Sequence, residues 1–209
     1  MPLRIGLVGL PNAGKSTLFN ALTRGRAEVA PYPFTTLEPH VGVVPTPDPR
    51  LDALAKLVDP EKVTPATAQF VDLAGLVEGA HLGEGLGNRF LARIREVDAL
   101  CMVARCFEAE EIPHVAAKLD PIADLQVLDL ELALADLEVV ERRMEKVRSE
   151  AKAGAPAAVH EMVALESLRN ALGRGERAAG VNFDPSVSEP VADLNLLTQK
   201  PRVFVANVG

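Results

Sequence analysis

The chain has 209 residues, of which 48% are hydrophobic and 24% charged, with a formal net charge of −7. That length supports one α/β domain plus an appendage, and an acidic surface excludes nucleic-acid binding except through a local basic patch. No Trp and a single Tyr leave little material for base-stacking platforms.

Residues 3–8 are apolar and bounded by Gly, the pattern of a buried strand. No signal peptide precedes them. Residues 15–23 place Leu18, Phe19 and Leu22 on one helical face. Residues 40–44 and 68–71 read as strands, 45–49 as a turn cluster, and 50–58 as a helix with Leu51, Leu54, Ala55 and Val58 in helical spacing. Residues 75–87 form a loop with five glycines, and 89–96 a helix. Residues 99–104 read as a buried strand, with Cys101 in it and Cys106 beside it. Two core thiols and no disulfide framework suit a reducing cytosol. No apolar run approaches the roughly 18 residues of a membrane span, so the expectation is a cytoplasmic protein without a membrane partner.

From about Ile122 the pattern changes. Leu130, Ala133, Leu137, Val140, Met144, Val147 and Ala151 alternate spacings of three and four, a heptad seam. Lys152-Ala-Gly-Ala-Pro156 breaks it, because Gly ends a helix and Pro suits the first turn of the next. Met162, Leu165, Leu168 and Leu172 give a second stripe. The reading is a long αα-hairpin, paired within one chain and so compatible with a monomer. Residues 173–190 end it, and 202–206 return as a buried strand. The expected division is 1–121 with 196–209 as one α/β domain, and 122–195 as a helical insertion.

Gly9-Leu-Pro-Asn-Ala-Gly-Lys-Ser16 matches G-x-x-x-x-G-K-[ST] in full, between a strand and a helix. Its backbone N–H groups at Asn12, Ala13 and Gly14 would face phosphates. Lys15 would reach the β- and γ-phosphates, Ser16 would ligate Mg²⁺, and Thr17 opens the helix whose N-terminus favours anions. Asp72-Leu-Ala-Gly75 follows a strand, so Asp72 lies at a carboxyl end where α/β sheets bind ligands, and Gly75 could offer its N–H to the γ-phosphate. Tyr32-Pro-Phe-Thr-Thr36 supplies a hydroxyl for the metal. Leu76 stands where a Gln could orient water, so hydrolysis is expected to be slow. His81, His114 or a K⁺ ion near Asn12 are the candidates to position that water.

Together, these residues resemble the YchF/Obg-like ATPase family. The resemblance rests on Gly6 through Ala21, Pro33-Phe-Thr-Thr36, Asp72-Leu-Ala-Gly-Leu-Val77 and Gly83-Glu-Gly-Leu-Gly-Asn-Arg-Phe-Leu91. It continues through Ile94-Arg-Glu-Val-Asp98, Val103-Ala-Arg-Cys-Phe107, Leu130-Glu-Leu-Ala-Leu-Ala-Asp-Leu137 and Lys200 through Val208. It implies a Ras-like P-loop NTPase domain, a mostly parallel sheet flanked by helices, with an α-helical coiled-coil hairpin insertion. It implies Thr36 rather than Thr35 as the switch hydroxyl, His114 as a loop histidine considered catalytic, and ATP preferred to GTP. The family's base motif reads Asn-x-x-Glu, against Asn-Lys-x-Asp in GTPases. The chain meets it with Asn207-Val208-Gly209, and the resemblance implies a final core strand, further helices and a C-terminal TGS domain beyond it. A site lacking the guanine-reading Asp should lose guanine preference, since buried unpaired donors cost about 1–3 kcal/mol each.

Charge along the hairpin is polarised. Residues 124–138 hold five acids and no base, whereas 142–152 hold Arg142, Arg143, Lys146, Arg148 and Lys152 against Glu145 and Glu150. A solvated helical face and a contact for ribosomal RNA phosphates are both open readings. The expected function is ATP binding with Mg²⁺ and slow hydrolysis, ribosome-associated in translation or stress response. The alternatives are an Obg-type GTPase and a nucleotide-gated ribosome-binding module with little catalysis.

Overall fold

The computed structural model describes residues 2–23, 40–73, 86–109 and 119–208. Its frame is a five-stranded sheet in the order β2-β3-β1-β4-β5, built from β1 (Leu3–Val8), β2 (His40–Pro45), β3 (Thr67–Asp72), β4 (Ala99–Arg105) and β5 (Arg202–Asn207). Among the described strands only β2 runs antiparallel, against β3. Helices α1 (Lys15–Thr23), α2 (Pro49–Val58) and α3 (Leu86–Arg95) fall between the first four strands. The long α4 (Pro121–Lys152), α5 (Pro156–Gly173) and the short α6 (Ser188–Ala192) precede β5. This mostly parallel sheet with flanking helices is the fold class expected.

Local chemistry sets the helix ends. Asp48 caps α2 by accepting from the Arg50 N–H, and Pro49 occupies the first turn, where its missing donor is not needed. Asp120 caps α4 through the N–H groups of Ile122 and Ala123, with Pro121 in the same position. Central β4 is buried along nearly its whole length, as a strand covered on both faces must be.

Three apolar clusters hold the layers together. One joins Val8, Leu73, Leu91, Ile94, Leu100 and Met102 to Leu128, Leu132 and Ala135 of α4. A second lies between α4 and α5, with Val140, Met144 and Val147 against Ala158, Leu165, Leu168 and Leu172. The third seats α1 on the sheet through Phe19, Leu7, Cys101 and Val103. α4 belongs to two clusters, so a continuous helix, about 48 Å long at 1.5 Å per residue, joins sheet to hairpin.

The structure departs from the expected pattern in three places. Leu130, expected in the seam, is half exposed. α5 has 18 residues against 32 in α4, and the first turns of α4 turn a different face, Leu128 and Leu132, toward the sheet. β5 was expected to be buried, but Val203 and Phe204 are more than half exposed, because among the described residues β5 pairs only with β4. The α2 stripe exists, yet α2 buries none of its residues. Periodicity gives a helix an apolar face but not a surface to cover it.

Close approach at one glycine fixes how α1 meets β2. A Cβ on Gly42 would lie 2.2 Å from Thr23 Cγ2 and 3.2 Å from Phe19 Cζ. Gly42→Ala should therefore destabilise by about 1–3 kcal/mol, read as a lower thermal midpoint. Adding Thr23→Ser, which removes Cγ2, should restore part of that loss. A G42A midpoint equal to wild type would contradict the contact.

Candidate functional site

The chain turns between β1 and α1 over residues 9–14. Asn12 and Gly14 take left-handed backbone conformations, φ 63 and 92. Ala13 N–H bonds Leu10 O at 3.3 Å, and Leu18 N–H bonds Gly14 O at 2.9 Å, starting α1. The first turn of α1 carries no acidic residue, leaving its partial positive charge for an external anion.

Lys15 is 7% exposed, and its Nζ donates to Leu10 O at 3.0 Å. Burial lowers its pKa from the usual lysine value, against the opposing pull of the Asp72 carboxylate. The ammonium is thus held inside the loop that would wrap a phosphate. Ser16 Oγ donates to Asp72 Oδ2 at 2.6 Å. Asp72 ends β3 and pairs with Leu7 of β1 in parallel register, so the sheet brings the two oxygens together across 56 residues of sequence. They fit Mg²⁺, a hard ion that takes one or two protein oxygens and leaves its other positions to phosphate and water. No group of three or more His, Cys, Asp or Glu able to hold a metal occurs among the described residues.

Asn207 completes the arrangement. It ends β5, and its Nδ2 donates to Ala13 O at 3.1 Å. A Cβ on Gly14 would meet that Nδ2 at 2.1 Å, so only glycine lets the amide reach the loop. Val208, next in line, is 74% exposed. Sequence reading assigned Asn207 to base recognition; its bracing of the phosphate loop, 194 residues away, carried no local signal.

Arg105 is a residue that sequence reading passed over. It ends β4 opposite Asn207, and its Nε and guanidinium donate to Phe107 O and Ala109 O. It also lies 4.8 Å above the Phe107 ring, an arrangement that shapes the chain leaving β4 beside the site. The one available signal was an arginine at the carboxyl end of an otherwise apolar strand.

The structure thus gathers Asn12, Ala13, Gly14, Lys15, Ser16, Asp72 and Asn207 at the carboxyl ends of β1, β3 and β5, with Thr17 in the first turn of α1. Thr36, Gly75, Leu76, His81 and His114 lie outside the described residues. A cavity of about 830 Å³ opens elsewhere, at the end of α5. Its Arg174 is engaged by Glu176, and the phosphate-directed chemistry is in the open loop instead.

Comparison with known proteins agrees with this geometry. Residues 4–145 match the family model described as 50S ribosome-binding GTPase. The chain is 50% identical over all 209 residues to the ribosome-binding ATPase YchF of Haemophilus influenzae, covering 58% of that protein. It is 50% identical to that of Bacillus subtilis, covering 57%. The solved YchF GTPase of Schizosaccharomyces pombe superposes with a TM-score of 0.79 at 36% identity, over 99% of this chain and 57% of that one. The chain therefore spans rather more than half the length of these relatives.

Lys15 carries a charge whose burial opposes folding. Lys15→Met should weaken nucleoside-triphosphate binding by about 10–150-fold, the loss of a charge-assisted hydrogen bond worth about 1.5–3 kcal/mol. It should also raise the thermal midpoint of the nucleotide-free chain. A lowered folded-state pKa means the unfolded chain binds more protons, so wild-type stability rises as pH climbs toward the ordinary lysine value. The Lys15→Met advantage should then shrink between neutral pH and pH 10; a constant gap would show that Lys15 is not desolvated.

Proposed function

The chain belongs to the 50S ribosome-binding GTPase family of P-loop proteins, in its YchF branch, and we propose that it binds Mg·ATP at residues 9–16 and hydrolyses it slowly to ADP and phosphate. The observation that carries this reading is the Ser16 Oγ to Asp72 Oδ2 contact at 2.6 Å beside a lysine buried in the loop. In this reading Mg²⁺, when bound, neutralises charge on the β- and γ-phosphates. Ser16 would ligate it directly and Asp72 would hold Ser16 or a metal-bound water, with Thr36 adding the switch hydroxyl. Lys15 would exchange Leu10 O for phosphate oxygens, and the N–H groups of residues 12–14 would cradle them. Gly75 would sense the γ-phosphate. Leu76 cannot hydrogen-bond a water, which supports slow turnover; His81, His114 or K⁺ at Asn12 remain the groups proposed to position it.

The relatives' names divide over the base, ATPase in the bacteria and GTPase in the yeast. Val208 favours ATP, because an exposed Val replaces the Lys whose stem would cover guanine. For the ribosome, the bacterial relatives are named ribosome-binding, and we propose ribosomal RNA phosphates as the contact. On the hairpin Arg143 is engaged by Glu161 and Arg142 by Glu138, so the proposal rests on exposed Lys146, Arg148 and Lys152. The bulk of the chain's function would be that of a cytoplasmic monomer, with no helix among the described residues long and apolar enough to cross a membrane.

Calorimetric titration with ATP and GTP, each with and without Mg²⁺, tests the base and metal together. ATP should bind at least tenfold tighter, about 1.4 kcal/mol, and GTP binding tighter would assign the chain to the GTPase alternative. Ser16→Ala should bind equally with and without Mg²⁺; a retained metal effect would remove Ser16 from the metal's shell. Cosedimentation with 50S subunits separates the switch from a passive binding module: Lys15→Ala should lose nucleotide-dependent sedimentation, and unchanged sedimentation would favour the module.

A further inference from the structure

His40 opens β2 and is exposed, and it stands beside the Ser16–Asp72 pair. In the antiparallel pairing of β2 with β3 it lies directly opposite Asp72. Residues opposite each other in such a pair send their side chains to the same face of the sheet, with Cβ atoms about 4.5–5.5 Å apart.

Three contacts identify that face as the one covered by α1. Asp72 meets α1 at Ser16, whose Oγ donates to its Oδ2 at 2.6 Å. His40 meets α1 at Phe19, with ring centroids 6.3 Å apart and planes tilted by 40°. Ser16 and Phe19 are three residues apart on one side of the helix, about 4.5 Å along its axis. Gly42 gives the third contact, because a Cβ there would meet Thr23 and Phe19 of α1. Strand alternation puts His40 and Gly42, two residues apart, on one face. Register, ring contact and close approach thus set an imidazole beside a carboxylate and a hydroxyl, in the corner between β2, β3 and α1.

The imidazole ring packs on Phe19, and among the described residues its nitrogens have no hydrogen-bond or ion-pair partner. An exposed histidine is ordinarily just solvated surface. Its position gives this one a chemistry: a neutral imidazole nitrogen is a metal ligand, and its neighbours are the oxygens that fit a hard cation. Mg²⁺ takes oxygen ligands and gains little from a nitrogen. Imidazole suits the later first-row ions, whose affinity for such a site rises from Mn²⁺ through Co²⁺ to Ni²⁺.

We propose that His40 is a selectivity residue of the metal site: its imidazole adds a nitrogen donor to the Ser16 and Asp72 oxygens and shifts the site's preference from Mg²⁺ toward divalent first-row transition ions. The inference rests on the proposed nucleotide binding and deepens it by naming the class of metal. Ser16, Asp72 and the phosphates supply oxygen to any of these ions, and His40 supplies the donor that distinguishes among them.

Competition between Co²⁺ and Mg²⁺ tests this, on the whole chain loaded with a non-hydrolysable ATP analogue. The visible absorption of bound Co²⁺ reports nitrogen in its shell independently of turnover. Two variants separate donor from packing: His40→Gln removes the imidazole, and His40→Phe keeps a ring against Phe19 without its nitrogens. Both should lower the ratio of Co²⁺ to Mg²⁺ affinity at least tenfold and change the Co²⁺ spectrum. His160→Gln, at an exposed histidine of α5, should leave ratio and spectrum as in wild type. His40 variants with the wild-type ratio and spectrum overturn the proposal, as does an equal loss in His160→Gln, which would assign the Co²⁺ to surface histidines. A His40→Phe chain that weakens with both metals alike also overturns it, in favour of a purely structural residue. A wild type that binds the analogue with neither metal overturns the nucleotide reading itself, whereas one that binds it with an unchanged ratio in the variants overturns only the role of His40.

Discussion

A tight loop that turns a strand into a helix has few backbone hydrogen bonds of its own to hold its shape. That constraint organises this protein. Within residues 9–14 Ala13 N–H bonds Leu10 O, and further hold comes from beyond the loop: Asn207 donates to Ala13 O, and Lys15 donates to Leu10 O. Strands β1, β3, β4 and β5 must end level with one another for Asp72, Asn207 and the loop to meet, and the parallel register of β1 with β3 and of β4 with β5 does this.

The same loop also holds a buried charge. Lys15 is buried with its Nζ on Leu10 O, and that burial lowers its pKa against the pull of the Asp72 carboxylate. Ser16 and Asp72 present oxygens to each other that would suit a hard cation better. Functional sites commonly hold such locally unfavourable groups, and the surrounding fold stabilises them. Here that support is an apolar sheet with Leu7, Leu100 and Met102 fully buried beneath the site.

Helix α4 extends this frame into the hairpin. Its sheet-facing residues and its α5-facing residues occupy different faces along one helix, so the hairpin is rooted in the core rather than tethered to it. Asp136, at the change of face, is where the buried polar groups gather. These directional bonds tie α4 to the connector that leads into β5.

Much of this was legible in sequence. The strand, loop and helix at residues 3–23, the strand ending at Asp72 and the two hairpin stripes all follow from patterns that repeat within a few residues. Backbone geometry makes those patterns local: period 2 for strands, period 3.6 for helices, Gly where φ turns positive. The partners of those patterns were not legible. The Leu54 and Val58 stripe of α2 looks like a core face and is exposed, as is Leu130, while β5 reads as a buried strand and, among the described residues, stands at the end of the sheet. The bond between Asn207 and Ala13 spans 194 residues, and that between Lys200 and Val97 spans 103. Residue spacing determined which side of each element is apolar and which loop could hold phosphate. Only the tertiary structure decided what each side meets, because strand order and helix reach depend on contacts between segments that share no local pattern.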